Sequence, residues 1–345
     1  MTTIEDTTEG HRPHEVLARS RELIDPALRA AVDGLPSAIR RIVGYHFGWC
    51  DENGVPSDDD SGKAIRPTLS LLAAEAVGGS SGSGVSAAVA VELVHNFSLL
   101  HDDIMDGDTT RRHRPAAWTV FGANPTILAG DALQTLALDV LAAGGHPAAQ
   151  DGVRMLSAAV LDLINGQVAD LDFETRDDVG LAECVRMAEL KTGALLGCAC
   201  ALGALFGGAP DKAEPLRRLG LAFGTAFQHV DDLLGIWGSP ETTGKSIHSD
   251  LRSRKKSLPV VAALTSDTSA GRELAGLYFR ERELSDVELA RAAELVEAAG
   301  GREWSRRQAD DLMERAMGEL RDADLVRRPA EELGALARFA TRRDH

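Results

Sequence analysis

The chain has 345 residues, 44% of them apolar but only 4% aromatic, so its core must come mainly from alanine, leucine and valine, which suits packed helices. A formal net charge of −16 argues against nucleic acid and anionic membrane as main partners. The length allows two domains, but no Pro/Ser-rich linker interrupts the apolar periodicity, so one large core is expected.

Residues 1–13 are polar and acidic without periodicity and are expected to form a disordered tail, leaving 14–345 as a single domain. From His14 onward helical patterns dominate, and no stretch alternates convincingly with period two. The breaks are short: 51–62, 78–84, 144–146, 207–210, 238–244 and 300–301. Near the C-terminus Trp304, Ala309, Leu312, Met313, Ala316, Met317 and Leu320 recur at spacings of mostly three and four, giving one apolar face. The pattern predicts an all-α bundle of about a dozen helices, with ligands lodged between facing helices. No apolar stretch reads as long and uninterrupted enough for a transmembrane segment. Cys50, Cys184, Cys198 and Cys200 show no metal-type spacing and no signal peptide precedes them, which fits reduced thiols and a cytoplasmic location.

In chain order, the first chemistry-bearing residues are Lys63 and Arg66, two cations three residues apart where a flexible loop meets a helix, within reach of one anion. His95 lies two helical turns before Asp102 and shares its face. Asp102 and Asp106 are i and i+4 on a helix, with Asp103 beside them. Three carboxylates that close need a cation or solvent, and oxygen-only ligands select hard ions such as magnesium. Arg111 and Arg112 follow, which makes sense for a bound polyanion. A solvated acidic face is the plain alternative for this cluster alone, and a plain surface pair is the alternative for Lys63 and Arg66. Further on, Gln167 and Asp170 precede Lys191 and Thr192, and Gln228 precedes a second acidic cluster, Asp231 and Asp232, by one helical turn. The segment holding Lys245, Asp250, Lys255 and Lys256 then mixes charges of both signs.

Taken in order, GKAIRP (62–67), ELVHNFSLLHDDIMDGDTTRRHRP (92–115), GD (130–131), GQVAD (166–170), KT (191–192), FQHVDDLL (227–234) and GKSIHSDLRSRKKSLP (244–259) resemble the trans-type polyprenyl diphosphate synthases, a branch of the class I isoprenoid synthases. The resemblance covers about 200 residues and is closest to bacterial geranylgeranyl diphosphate synthases. It implies one large helical bundle around a central apolar cavity, a homodimer, and condensation of isopentenyl diphosphate with allylic diphosphates, aided by three magnesium ions. Asp102 and Asp106 would bind two ions with Asp103 alongside, and Asp231, supported by Asp232, a third. Arg111, Lys191, Lys245 and Lys255 would grip the allylic diphosphate, while Lys63, Arg66, His95 and Arg112 would hold isopentenyl diphosphate. Thr192, Gln228, Gln167 and Asp170 would line the cavity near the reacting carbons. Where the family carries a third aspartate this chain has Gly235, implying weaker metal affinity, and Arg254 replaces a family glycine, adding charge to a loop that faces diphosphate.

Ser98 and Phe97, four and five residues before Asp102, occupy the family's product-length floor. Ser98 is small, and Phe97 lies about 140° around the helix from Asp102, so the pattern resembles synthases that stop at C20. The alternatives left open are a farnesyl (C15) synthase, a class I terpene cyclase, and a non-catalytic partner or cargo subunit that keeps the fold.

Overall fold

The computed structural model describes residues 12–57, 59, 62–239, 247–280 and 282–342. Among these residues there are sixteen α-helices, and the only strands form a two-residue hairpin. The helices are α1 Pro13–Asp33, α2 Ser37–His46, α3 Ile65–Ala76, α4 Val85–Met105, α5 Ala117–Phe121, α6 Ala123–Ala143, α7 Ala149–Thr175 and α8 Leu181–Ala188. They continue with α9 Ala194–Phe206, α10 Ala213–Trp237, α11 Ser249–Arg252, α12 Leu258–Leu264, α13 Ser269–Tyr278, α14 Asp286–Ala298, α15 Gly301–Asp322 and α16 Arg327–Thr341. The excess over a dozen comes from short helices such as α5 and α11, which are too brief to leave a periodic signal. Residues 1–11 of the expected tail lie outside the described residues. Pro13 already opens α1, where its missing N–H costs nothing.

Helix α9 explains the architecture. Its sequence, ALLGCACALGALF, is apolar all round, and every residue from Leu195 to Phe206 is buried, as expected for a helix at the centre of a bundle. Helices α3, α4, α7 and α10 pack around it. On the far side of α10 lies α15, whose buried Ala309 and Ala316 belong to the apolar face read from sequence.

Two helical stretches are, by length and composition, apolar enough to cross a membrane: α6 and the continuous run Leu181–Phe206. This corrects the expectation that none would be. Asp131 and Asp139 interrupt α6 only twice, which is too little to lower its mean hydropathy below the spanning range. The second run is the bundle's own centre, with 72% of its apolar window buried, whereas only 33% of the α6 window is.

Between α8 and α9, residues Glu189–Gly193 form a π-helical turn. Such widened turns are frequent at functional sites, and this one carries Lys191 and Thr192. Gly166 of α7 presses against it, since a Cβ there would lie 2.4 Å from the Lys191 amide nitrogen.

Candidate active site

The first acidic cluster sits at the C-terminal end of α4. Asp106 caps the helix, and its N–H donates to the Asp102 carbonyl at 2.8 Å, so the two carboxylates share one face as the i, i+4 spacing requires. Burial raises the Asp102 carboxyl to about 6; Lys191 opposes the rise and Asp106 adds to it. Asp106 is also raised, first by burial, against the pull of Lys191. Lys191 donates to Asp170 at 2.6 Å. Burial alone would raise Asp170, but Lys191 and Lys255 together hold it below the ordinary carboxylate value.

Asp103 turns the other way. It is 1% exposed and accepts from Arg111, with Nε at 2.9 Å and Nη2 closing the pair. Arg111, expected to face the allylic diphosphate, is held by Asp103, expected alongside Asp102 and Asp106.

Arg111 and Arg112 diverge because they lie in a hairpin. Strand β1, Thr110–Arg111, pairs antiparallel with β2, Arg114–Pro115, and Arg112 and His113 form the two-residue turn with φ of 51° and 61°. Two positive φ values match a type I′ turn, whose twist suits the hairpin, although neither residue is glycine. The turn delivers the Arg112 guanidinium to Gly62, where a Cβ would meet its Nη2 at 3.0 Å. Lys63, the next residue, is exposed at the mouth. Arg66 donates through Nη1 to His95 Nε2 at 3.1 Å, and its buried Nε has no partner. Burial and then Arg66 and Arg112 push His95 well below its usual value, so it is a neutral acceptor. Arg66 and Arg112 thus lie together beside His95, and Arg112 reaches Gly62, the neighbour of Lys63.

Three residues of this pocket were missed from sequence. Glu92 is 6% exposed, receives Asn96 Nδ2 at 2.9 Å, and offsets the charge of Arg66, Arg112 and Arg21. His46, lowered to about 3 by burial and then by Arg112 and Arg111, closes the apolar side. Arg21 donates to the Gly62 carbonyl. An acid inside the apolar run VELVH was the one available signal for Glu92.

The second acidic cluster lies on α10. Asp231 is exposed, while Asp232 is buried at 3%. Asp232 accepts from Gln228 Nε2 at 2.7 Å and from the Leu258 N–H, at the start of α12, at 2.8 Å. Gln228 Oε1 in turn accepts from the Thr192 hydroxyl at 2.6 Å. Both Asp232 oxygens are therefore committed to a chain joining the π turn, α10 and α12. Burial first, against Lys255, raises its carboxyl to about 7. Expected beside Asp231 at the metal site, Asp232 is held by the hydrogen bonds from Gln228 and Leu258.

Lys255 lies among Asp232, Asp250, Asp170 and Asp231; burial opposes its charge, but these carboxylates outweigh it and raise its pKa. Lys245 lies outside the described residues. Arg254 corrects its expectation: it has φ 55°, a value that explains a glycine at this position in relatives, and its guanidinium donates to the carbonyls of Arg280 and Arg282. Its charge is spent there rather than on the diphosphate loop. Gly235 is likewise not an empty position, because the Asp250 carboxylate lies where its side chain would be.

The acidic side opens into a cavity of about 410 Å³ lined by Asp106, Asp170, Asp250, Lys255 and Lys256 among others. Its donor set fits hard divalent ions. Asp102 and Asp106 offer only oxygens, and burial makes their charge costly until positive charge arrives. Among the described residues no three His, Cys, Asp or Glu side chains converge to hold an ion alone, so water or phosphate oxygens must complete the shell, as magnesium typically requires. Gln167 is buried with neither amide atom paired, an omission that a ligand in the interior would correct.

A family model described as Polyprenyl synthetase matches residues 55–296. The chain is 48% identical over 328 residues to a (2E,6E)-farnesyl diphosphate synthase of Mycobacterium tuberculosis, covering 94% of this chain and 91% of that one. It is 43% identical over 331 residues to a geranylgeranyl diphosphate synthase of the same organism, covering 95% and 93%. A crystal structure of a polyprenyl synthetase from Streptomyces coelicolor A3(2) superposes with a TM-score of 0.91 at 48% identity, covering 94% of this chain and 98% of that one. Two carboxylate loci on α4 and α10 around an all-helical core, matched along nearly the whole length, place the chain in the polyprenyl synthetase family, as a prenyltransferase that makes polyprenyl diphosphates.

Proposed function

We propose that the enzyme condenses isopentenyl diphosphate with allylic diphosphates and releases geranylgeranyl diphosphate (C20) as its main product. The observation that supports this reading is the cluster of Arg66 and Arg112 around His95, with Arg112 against Gly62 next to Lys63, a group of cations that would suit a second anion. An ionising cyclase needs only the aspartate side. Asp102, Asp106 and Asp231 would hold three magnesium ions; when bound, these supply Lewis acidity to the departing diphosphate. Lys191 and Lys255 face that same diphosphate, and Lys245 belongs to the same group by sequence. The basic pocket fixes isopentenyl diphosphate with its double bond toward the allylic carbon, so positioning provides much of the rate. Thr192 and Gln228, already bonded to each other, form a fixed polar wall beside the reacting carbons. The apolar residues of α4 and α9 exclude water from the allylic cation.

For product length, Ser98 is buried with its hydroxyl turned back to the His95 carbonyl, leaving no bulk below Asp102. Phe97 packs edge-on against His101 at 5.0 Å. Sequence identities to farnesyl and geranylgeranyl synthases are similar, so C15 is the competing product. A homodimer is proposed from the exposed Ile127 and Leu128 of α6 and Leu161, Ile164 and Val168 of α7, apolar side chains on two adjoining helices. Incubating the purified chain with isopentenyl diphosphate, C5, C10 and C15 primers and magnesium, followed by mass spectrometry, tests the reading. C20 is expected. C15 alone would move the floor, a cyclised hydrocarbon would favour a cyclase, and no turnover would favour a partner subunit.

A further inference from the structure

The residue at 235 shares the face of α10 that carries Asp231, one turn further on. A Cβ placed on Gly235 would lie 2.3 Å from Asp250 Oδ2, 2.4 Å from its Cγ and 2.6 Å from Oδ1. The Asp250 carboxylate therefore fills the volume of a side chain at 235, and any larger residue there must displace it. We infer that Asp250 supplies, from the following segment, the outer carboxylate that α10 itself lacks after Asp231. This rests on the reading of the aspartate loci as a metal–diphosphate site.

The contacts around Asp250 look built for that placement. It belongs to α11, entered through His248 at φ 61°, and the neighbouring Ser249 hydroxyl donates to the Gly235 carbonyl at 3.3 Å. The Lys255 N–H donates to the Asp250 carbonyl at 2.9 Å, closing the turn that brings the Lys255 side chain back to the same carboxylates. Asp250 also lines the cavity that holds Asp106 of the first locus and Asp170.

The arrangement reverses the simple expectation for this position. Adding an aspartate at 235 does not restore a missing ligand; it collides with one already present. Four variants separate the possibilities, each checked for folding by circular dichroism and melting. Their readout is Mn²⁺ binding in the presence of inorganic diphosphate, followed by the electron paramagnetic resonance of free Mn²⁺. Asp250→Ala should weaken the loosest ion by roughly 10- to 100-fold, the range for losing a residue that supports a metal site. Gly235→Ala should do the same without changing any charge, because its methyl group displaces the Asp250 carboxylate. Gly235→Asp alone should not tighten binding, whereas Gly235→Asp combined with Asp250→Ala should recover most of the loss. A purely structural Asp250 would not show that recovery. Folded Asp250→Ala with wild-type Mn²⁺ affinity, or a double variant no tighter than Asp250→Ala, overturns the assignment of Asp250. Wild-type protein that takes up no diphosphate-dependent Mn²⁺ overturns the site reading beneath it.

Discussion

Gly166→Ala should impair catalysis by displacing the backbone of Lys191 without changing any functional group. A Cβ at 166 would stand 2.4 Å from the Lys191 amide nitrogen and 2.7 Å from its Cα, where ordinary contact begins at 3.4 Å. The obstruction is backbone, so it cannot rotate away, and the π turn must separate from α7 by about 1 Å. Lys191 is paired at 2.6 Å with Asp170, which sits on the same face of α7 one turn beyond Gly166. A 1 Å separation stretches that pair to roughly 3.6 Å, past hydrogen-bonding range, and draws the ammonium off the Asp102–Asp106 locus. A misplacement of this size costs on the order of 100-fold in rate. Overpacking of this kind costs about 1–3 kcal/mol. With the unfolding entropy of a chain this long, that lowers Tm by only about 1–4 °C. Steady-state kcat/KM for the allylic primer, beside thermal melting, reads both effects. Gly276→Ala in α13 is the control, since nothing lies within 4 Å of its Cβ position; it should leave turnover unchanged. Wild-type kcat/KM in folded Gly166→Ala would refute the reasoning.

Arg66→Ala should raise KM for isopentenyl diphosphate far more than KM for the allylic primer, and equal effects would show that the two anion pockets are wrongly divided. His46 is held near 3 by burial, below its unfolded value of about 6.5, so its contribution to stability is present above pH 6.5 and is lost as pH falls toward 3. Between pH 8 and pH 5 the wild type should lose about 2 kcal/mol relative to His46→Gln, measured by denaturant unfolding; parallel pH profiles would contradict the buried neutral imidazole. Ser98→Tyr should shift the product from C20 to C15 by blocking the tail one turn below Asp102. Phe97→Ala should extend it, at about 3–5 kcal/mol for the cavity left; unchanged products in both would place the floor elsewhere.

What the sequence revealed and what it hid divides by contact range. Asp102 and Asp106 were legible because i, i+4 geometry is local. The hairpin at 110–115 is two residues per strand, too short for any period to show, yet it decides that Arg111 meets Asp103 and Arg112 meets Gly62. Asp231 and Asp232 look equivalent as letters. They separate because neighbouring residues on a helix point about 100° apart, which leaves Asp231 exposed and turns Asp232 to the Leu258 N–H. The contact between Gly235 and Asp250 depends on how the segment after α10 returns, which no spacing rule encodes.

Charge decides which diphosphate leaves. The pocket of Arg66, Arg112 and Lys63 is cationic in the protein alone, partly offset by Glu92, so it can hold a diphosphate by hydrogen bonds and Coulomb attraction without ions. Guanidinium groups stabilise a bound diphosphate in the ground state and in the transition state alike, which improves binding more than bond cleavage. The aspartate side is the reverse. Its carboxylates would repel a diphosphate until divalent ions are present, and ions held there would supply Lewis acidity to the departing group. His95 is held neutral beside Arg66, so it adds no positive charge to the pocket. On the proposed reading the two sides would ionise one substrate and preserve the other, and the hairpin that places Arg111 in its strand and Arg112 in its turn keeps the two guanidinium groups apart.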